Sequence, residues 1–155
     1  VPVVPADLYG PHDDFDLETG HVLPALIRKM HEAKTHNEPE VVVWGTGSPR
    51  RECLHIDDLV EAGVFLMDNY DKSEIINVGS GEDLSIRELA RLVSDVVGFR
   101  GDIIFDESKP DGAPRKLLDI GKIRKLGWSP KISIEKGIRQ TYQWYESHVK
   151  AEQTL

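Results

Sequence analysis

Two spacings of apolar residues alternate along the chain: short β-branched runs, and longer stretches in which apolar positions return with a helical period. The run Val1-Pro2-Val3-Val4, closed by the Gly10-Pro11 turn, predicts a strand buried on both faces, and such a strand needs neighbours on either side. From Thr19 to about His36, apolar residues at Val22, Leu23, Leu26, Ile27, Met30 and Ala33 predict a helix, with Pro24 tolerated in its first turn. Asn37 to Glu40 ends it, and Val41-Val42-Val43-Trp44 reads as a strand followed by the turn Gly45 to Pro49. Arg51 to Ile56 follows at a spacing compatible with a hairpin. Asp57 is placed to cap a helix running to about Asp68, with Leu59, Val60, Val64 and Met67 expected to face inward.

The second half repeats the alternation. Ile75 to Val78 predicts a strand closed by Gly79-Ser80-Gly81, and Ser85-Ile86-Arg87-Glu88 is a capping box opening a helix with Ile86, Leu89, Leu92, Val93 and Val96 inward and Gly98 at its end. Asp102 to Phe105 reads as a strand, Glu107 to Lys116 as a polar loop, Ile120 to Leu126 as a short helix, and Ser133 to about Val149 as a last helix carrying Ile134, Ile138, Tyr142 and Tyr145. Strands alternating with helices give an α/β class with parallel and mixed pairing. Because nothing precedes Val1 to flank its strand, the chain is expected to be the back half of a larger α/β protein, with its Asp7 to Asp13 turn where such sheets bind ligands.

Composition narrows the classes. With 19 Lys and Arg against 27 Asp and Glu, the net charge of -8 excludes a general nucleic-acid surface. No apolar run approaches the roughly 18 residues of a membrane span, and the start carries no secretory signal pattern, so no membrane partner and a cytoplasmic location are expected. The single cysteine, Cys53, rules out an internal disulfide and a multi-cysteine zinc site, and its apolar alternation favours burial over a nucleophilic role. Yet Arg28-Lys29, Arg50-Arg51, Lys109 and Arg115-Lys116 stand in or beside turns of this acidic chain, a pattern that fits a small anionic ligand.

Several familiar chemistries are missing. Gly45-Thr46-Gly47 and Gly79-Ser80-Gly81 lack the third glycine of a dinucleotide fingerprint and read as turns. His31 and His36 are spaced wrongly for a helical metal pair, so no metal is expected, and no tyrosine has a lysine four positions later. What remains is His21, at the start of a helix just after the Asp13-Asp14-Phe15 turn, where the positive end of the helix dipole leaves the ring suited to acid/base work; capping or packing is its plainer role.

The segments Asp7 to Phe15, Gly20 to Leu26, Val42 to Gly47 with Arg50-Arg51-Glu52, Ile76 to Gly79, Ser85 to Ala90 and Lys109 to Asp119 together resemble the GDP-L-fucose synthase family of extended short-chain dehydrogenases. The resemblance implies a two-lobed, NADPH-dependent enzyme that epimerises GDP-4-keto-6-deoxy-D-mannose at C3 and C5 and reduces C4. By it, residues 1–16 are the end of the Rossmann lobe and its crossover turn, and 17–155 the GDP-sugar lobe, with segments that can return to the first lobe. By it too, His21 is the acid that reprotonates the sugar, and Pro5, Ala6, Asp7, Leu8 and His21 pass the nicotinamide end of NADPH. Relatives usually carry asparagine where Asp7 stands, and a carboxylate only accepts hydrogen bonds. Lys29, Trp44, Arg51, Asp111 and Lys116 match substrate-contacting positions, with charge for a diphosphate, an indole for packing and a carboxylate for hydroxyls. The glycine fingerprint and the Ser, Tyr, Lys and Cys of the active site belong to the other half, so the chain alone is expected to be inactive and its parent a homodimer. Two alternatives stay open: another nucleotide-sugar epimerase or dehydratase of this superfamily, and a non-catalytic nucleotide-binding module.

Overall fold

A computed structural model describes residues 1–152, and the chain alternates strands and helices as its apolar spacing requires. In order these are β1 (Val3–Pro5), β2 (Asp7–Tyr9), α1 (Val22–His36), β3 (Glu40–Trp44), β4 (Arg50–Arg51), β5 (Cys53–His55), α2 (Ile56–Asn69), β6 (Ile76–Val78), β7 (Leu84–Ser85), α3 (Ile86–Val97), β8 (Asp102–Asp106), β9 (Arg115–Lys116), α4 (Gly121–Leu126) and α5 (Ile134–Glu152). The class is α/β. No helix among the described residues is long and apolar enough to cross a membrane.

Pairing is non-local. β1 runs parallel to β6, β2 to β5 and β3 to β8, while β4 lies between antiparallel β7 and parallel β9. The hairpin expected between the strand ending at Trp44 and the strand from Arg51 does not form. Each instead takes a partner much further along the chain, because Gly45 to Pro49 turns the backbone into a different sheet. The first strand also departs from expectation: Val3 to Pro5 are exposed, with β6 on one edge.

Two apolar cores result. One joins α1, α3 and α5 over β3 through Leu26, Ile27, Met30, Leu89, Val93 and Ile138. The other packs α2 and α4 against β5 and β6 through Leu54, Leu66, Ile76, Val78, Ile123 and Trp128. Helix α2 corrects a second expectation. Its buried face is Asp58, Ala62 and Leu66, whereas Val60, Val64 and Met67 are exposed, Met67 by 76 %. Asp58 explains the rotation: its carboxylate accepts the Lys131 and Ile132 backbone N–H groups, both at 3.0 Å, so a charged residue turns inward and takes the stripe beside it along. Nor does Asp57 cap this helix. His55 does, its Nδ1 accepting the Asp57 N–H at 3.2 Å. In α3 the expected capping box forms, with Ser85 and Glu88 bonding reciprocally, and Gly98 ends the helix in the left-handed region.

Candidate functional site

Helix α1, the turn after β3, strand β4 and the loop at 110–112 enclose a cleft of about 340 Å³, and Lys29, Trp44, Arg51 and Asp111 all line it. These four residues are dispersed over more than eighty positions, and the β3–β8 pair and the β4–β9 pair bring them together. Lys29 donates from Nζ to the Val42 carbonyl at 3.1 Å, which holds its ammonium against the edge of β3. Arg51 donates from Nη1 to its neighbour's carbonyl (2.8 Å) and to Ala113 O (2.7 Å), fixing the guanidinium at the wall formed by the loop. Trp44 is 66 % exposed, with the Lys109 ammonium 5.3 Å from its ring centroid. Asp111 turns both carboxylate oxygens to Thr46, accepting from its N–H at 2.9 Å and its Oγ1 at 2.8 Å. Gly45 makes this approach possible. It sits at φ +86° with the Asp111 carboxylate where a side chain would stand.

The basic pair Arg50-Arg51 splits into two roles, since successive residues of a strand face opposite ways. Arg50 turns to Asp83 (3.0 Å), as does Arg115 (2.5 Å), and the carboxylate between them is held below its usual range, first by Arg115 and then by Arg50. Arg50 and Arg115 therefore bind β4, the β9 strand and the 83–85 turn together, and Arg51 is the member that meets the cleft. Lys116, expected among the substrate contacts, pairs with Arg51 in register but is exposed and does not line the cleft. Arg28 is taken up by Glu32 at 2.8 Å.

His21 is the N-cap of α1 and is exposed, with no capping hydrogen bond from its side chain. Its chain neighbours Gly20 and Val22 line the cleft, so His21 stands at the rim by its place in the backbone. Asp13 is a companion the sequence reading missed. Its half-buried carboxyl is pushed up by burial, an effect that the Asp14 N–H and the nearby His21 partly offset, and its Oδ2 is buried without a partner. The segment Pro5 to Leu8 lies apart from the four cleft residues, on β1 and β2. Its Ala6 and Asp7 N–H groups donate to Val78 O (2.9 Å) and Glu52 O (3.2 Å), so these two donors are used within the sheet.

A second cavity, of about 460 Å³, shares Arg51 with this cleft and has Cys53 in its wall. Burial, with Asp7 and Glu52 adding to it, pushes the Cys53 thiol up to about 12, so this cysteine is no nucleophile. Of the residues expected to contact substrate, Lys29, Trp44 and Asp111 line the smaller cleft alone, and Arg51 lines both cavities.

Comparison with known proteins gives the family of the chain. The NAD dependent epimerase/dehydratase family matches residues 1–79, just over half of the chain. The chain belongs to that family. It is 56 % identical over 149 residues to a probable GDP-L-fucose synthase 1 of Oryza sativa subsp. japonica, covering 96 % of this chain and 45 % of that protein. To GDP-L-fucose synthase of Escherichia coli K12 it is 49 % identical over 152 residues, 92 % of this chain and 47 % of that one. A solved GDP-L-fucose synthetase from Naegleria fowleri bound to NADP superposes with a TM-score of 0.90 at 34 % identity, over 96 % of this chain and 47 % of that one. As an epimerase/dehydratase family member, the chain spans a little under half the length of the curated relatives it matches.

Proposed function

We propose that this chain is the nucleotide-sugar-binding portion of an NADPH-dependent GDP-L-fucose synthase acting on GDP-4-keto-6-deoxy-D-mannose. The observation that carries the reading is the convergence of Lys29, Arg51, Trp44 and Asp111 on one cleft, in a chain about half identical to proteins of that name. Two cations on separate elements neutralise a diphosphate, and an exposed indole offers a face for a base or sugar ring. The C4 ketone acidifies the C–H bonds at C3 and C5, and His21 at the rim returns a proton to the sugar carbon after it is removed. Asp14 and Asp16 hold the turn before His21, and the Asp13 carboxyl lies close enough to feel the His21 charge.

The residues present fit only the nicotinamide end of a dinucleotide. Asp7 is an acceptor for the carboxamide N–H groups, and the backbone N–H groups of Ala6 and Asp7 are already used within the sheet. NADPH, when bound, supplies the hydride that reduces C4. The core of β5, β6, α2 and α4 belongs in this reading to the cofactor side, as a return of the chain after residue 52, and the core of α1, α3 and α5 to the sugar side.

The test is activity of the full-length protein. It should consume NADPH with GDP-4-keto-6-deoxy-D-mannose and yield GDP-L-fucose; preference for a UDP- or dTDP-sugar would overturn the assignment.

A further inference from the structure

We propose that Arg87 and Asp111 form a two-sided clamp on Thr46 that sets the position of Trp44, so that both act on the cleft as positioning residues. The proposal deepens the nucleotide-sugar reading of the cleft and rests on it for its ligand. Thr46 has three polar groups, and each is partnered. Its N–H and Oγ1 donate to Asp111 at 2.9 and 2.8 Å, and its carbonyl accepts from Arg87 Nη2 at 2.7 Å. One residue is therefore held from opposite ends by an anion 65 positions away and a cation 41 positions away, both through charge-assisted bonds.

Arg87 is itself fixed. Its guanidinium carbon lies 3.9 Å from the centroid of the Phe105 ring, a cation–π stack that settles the plane of the fork. Its backbone N–H donates to Gly47 O at 2.9 Å, and the Ile86 N–H donates to Pro49 O at 2.9 Å, so the start of α3 is bolted to the same turn. Gly47 is fitted to this stack: at φ +76°, a side chain there would come within 2.5 Å of the Phe105 ring and 3.2 Å of Arg87 Cβ. Trp44 stands two residues before Thr46. It ends β3 opposite Asp106 of β8, with its ring largely in solvent and touched by the Lys109 ammonium, so its backbone is held by the strand on one side and by the clamped turn on the other. Asp111 lines the cleft with a carboxylate engaged by Thr46, and it reaches the ligand by holding the turn.

The experiment uses the full-length protein with Arg87→Met, Arg87→Lys and Asp111→Asn. Amide hydrogen exchange at Thr46 to Ser48 should rise about tenfold in Arg87→Met and Asp111→Asn, the scale of one lost charged hydrogen bond, with α3 protection unchanged. GDP should bind about tenfold more weakly in the same two variants. Arg87→Lys, which keeps a charge within reach of the Thr46 carbonyl, should recover part of both effects. Unchanged exchange in the turn overturns the clamp, as does a loosened turn with unchanged GDP affinity. Exchange needs no ligand, so a wild-type protein that fails to bind GDP sinks the nucleotide reading while the clamp is still judged on the turn.

Discussion

The buried carboxylate of Glu52 accepts the backbone N–H of Leu118 at 2.8 Å, across 66 positions of sequence. Its other oxygen accepts the Gly81 N–H at 2.7 Å, so one side chain just after Arg51 ties the 79–81 turn to the segment that follows β9. Glu52→Gln keeps the size but offers an amide N–H to a backbone donor. The expected cost is about 1–3 kcal/mol, the penalty of one unsatisfied buried donor, read as a lowered midpoint of urea unfolding with an unchanged slope.

Arg51 is the cation whose guanidinium is fixed in the cleft wall. In the full-length protein Arg51→Ala should weaken GDP binding at least tenfold, in line with about 1.5–3 kcal/mol for a charged hydrogen bond. Calorimetry showing unchanged affinity would remove it from the site.

His21 stands at the rim with Asp13 nearby. His21→Asn in the full-length protein should slow solvent-deuterium incorporation at the sugar carbons far more than it weakens GDP binding. Equal incorporation rates in the two proteins would take His21 out of the proton transfer.

His55 predicts a pH dependence of stability. Burial lowers its pKa from 6.5, and Asp57 and Asp58 only partly oppose this. Because the folded value is depressed, the unfolded chain binds the proton more readily, so the contribution is present above pH 6.5 and is lost as pH falls toward the folded value. His55→Asn keeps an N-cap acceptor and does not titrate. The stability of wild type relative to this variant should decline as pH falls below 6.5, and a difference that stays flat down to pH 5 would contradict the assignment.

Cys53 should be nearly inert. With its thiol pushed up to about 12, only about one molecule in ten thousand carries a thiolate at pH 8. Reaction with a disulfide reagent should be at least about a hundredfold faster in urea than in the native state, and rapid native labelling would show that the thiol is activated.

Local signals were readable where the physics is local. The capping box at Ser85 and Glu88 opens α3 because both partners lie within one turn, and the helical spacing from Val22 to Ala33 marks the buried face of α1. Helix α2 shows the opposite. Val60, Val64 and Met67 are as regular a stripe as any in the chain, yet they are exposed, because Asp58 has two backbone donors waiting for it on a segment some seventy positions away. The missing hairpin after Trp44 has the same origin: β3 and β4 each pair with strands of the second half, and spacing does not reveal parallel partners.

The candidate site divides along the same line. Lys29, Trp44, Arg51 and Asp111 were legible as residue types and by resemblance, but Thr46 and Arg87 read only as members of a turn and a capping box, since their joint role lies in distances to groups 41 to 65 positions away. The sequence by itself determined the helices and the longer strands, the α/β class and the stock of charged and aromatic groups, because these follow from side-chain spacing and capping along a few residues. The short strands at Asp7–Tyr9, Leu84–Ser85 and Arg115–Lys116 fall in segments that read as turn, capping box and polar loop. Only the tertiary structure decided that Arg51 faces the cleft while Arg50 turns to Asp83, that Lys116 stays at the surface, and that a carboxylate and a guanidinium close on one threonine. Those outcomes depend on strand register and on which buried polar group finds which partner, and both are set by contacts between distant parts of the chain.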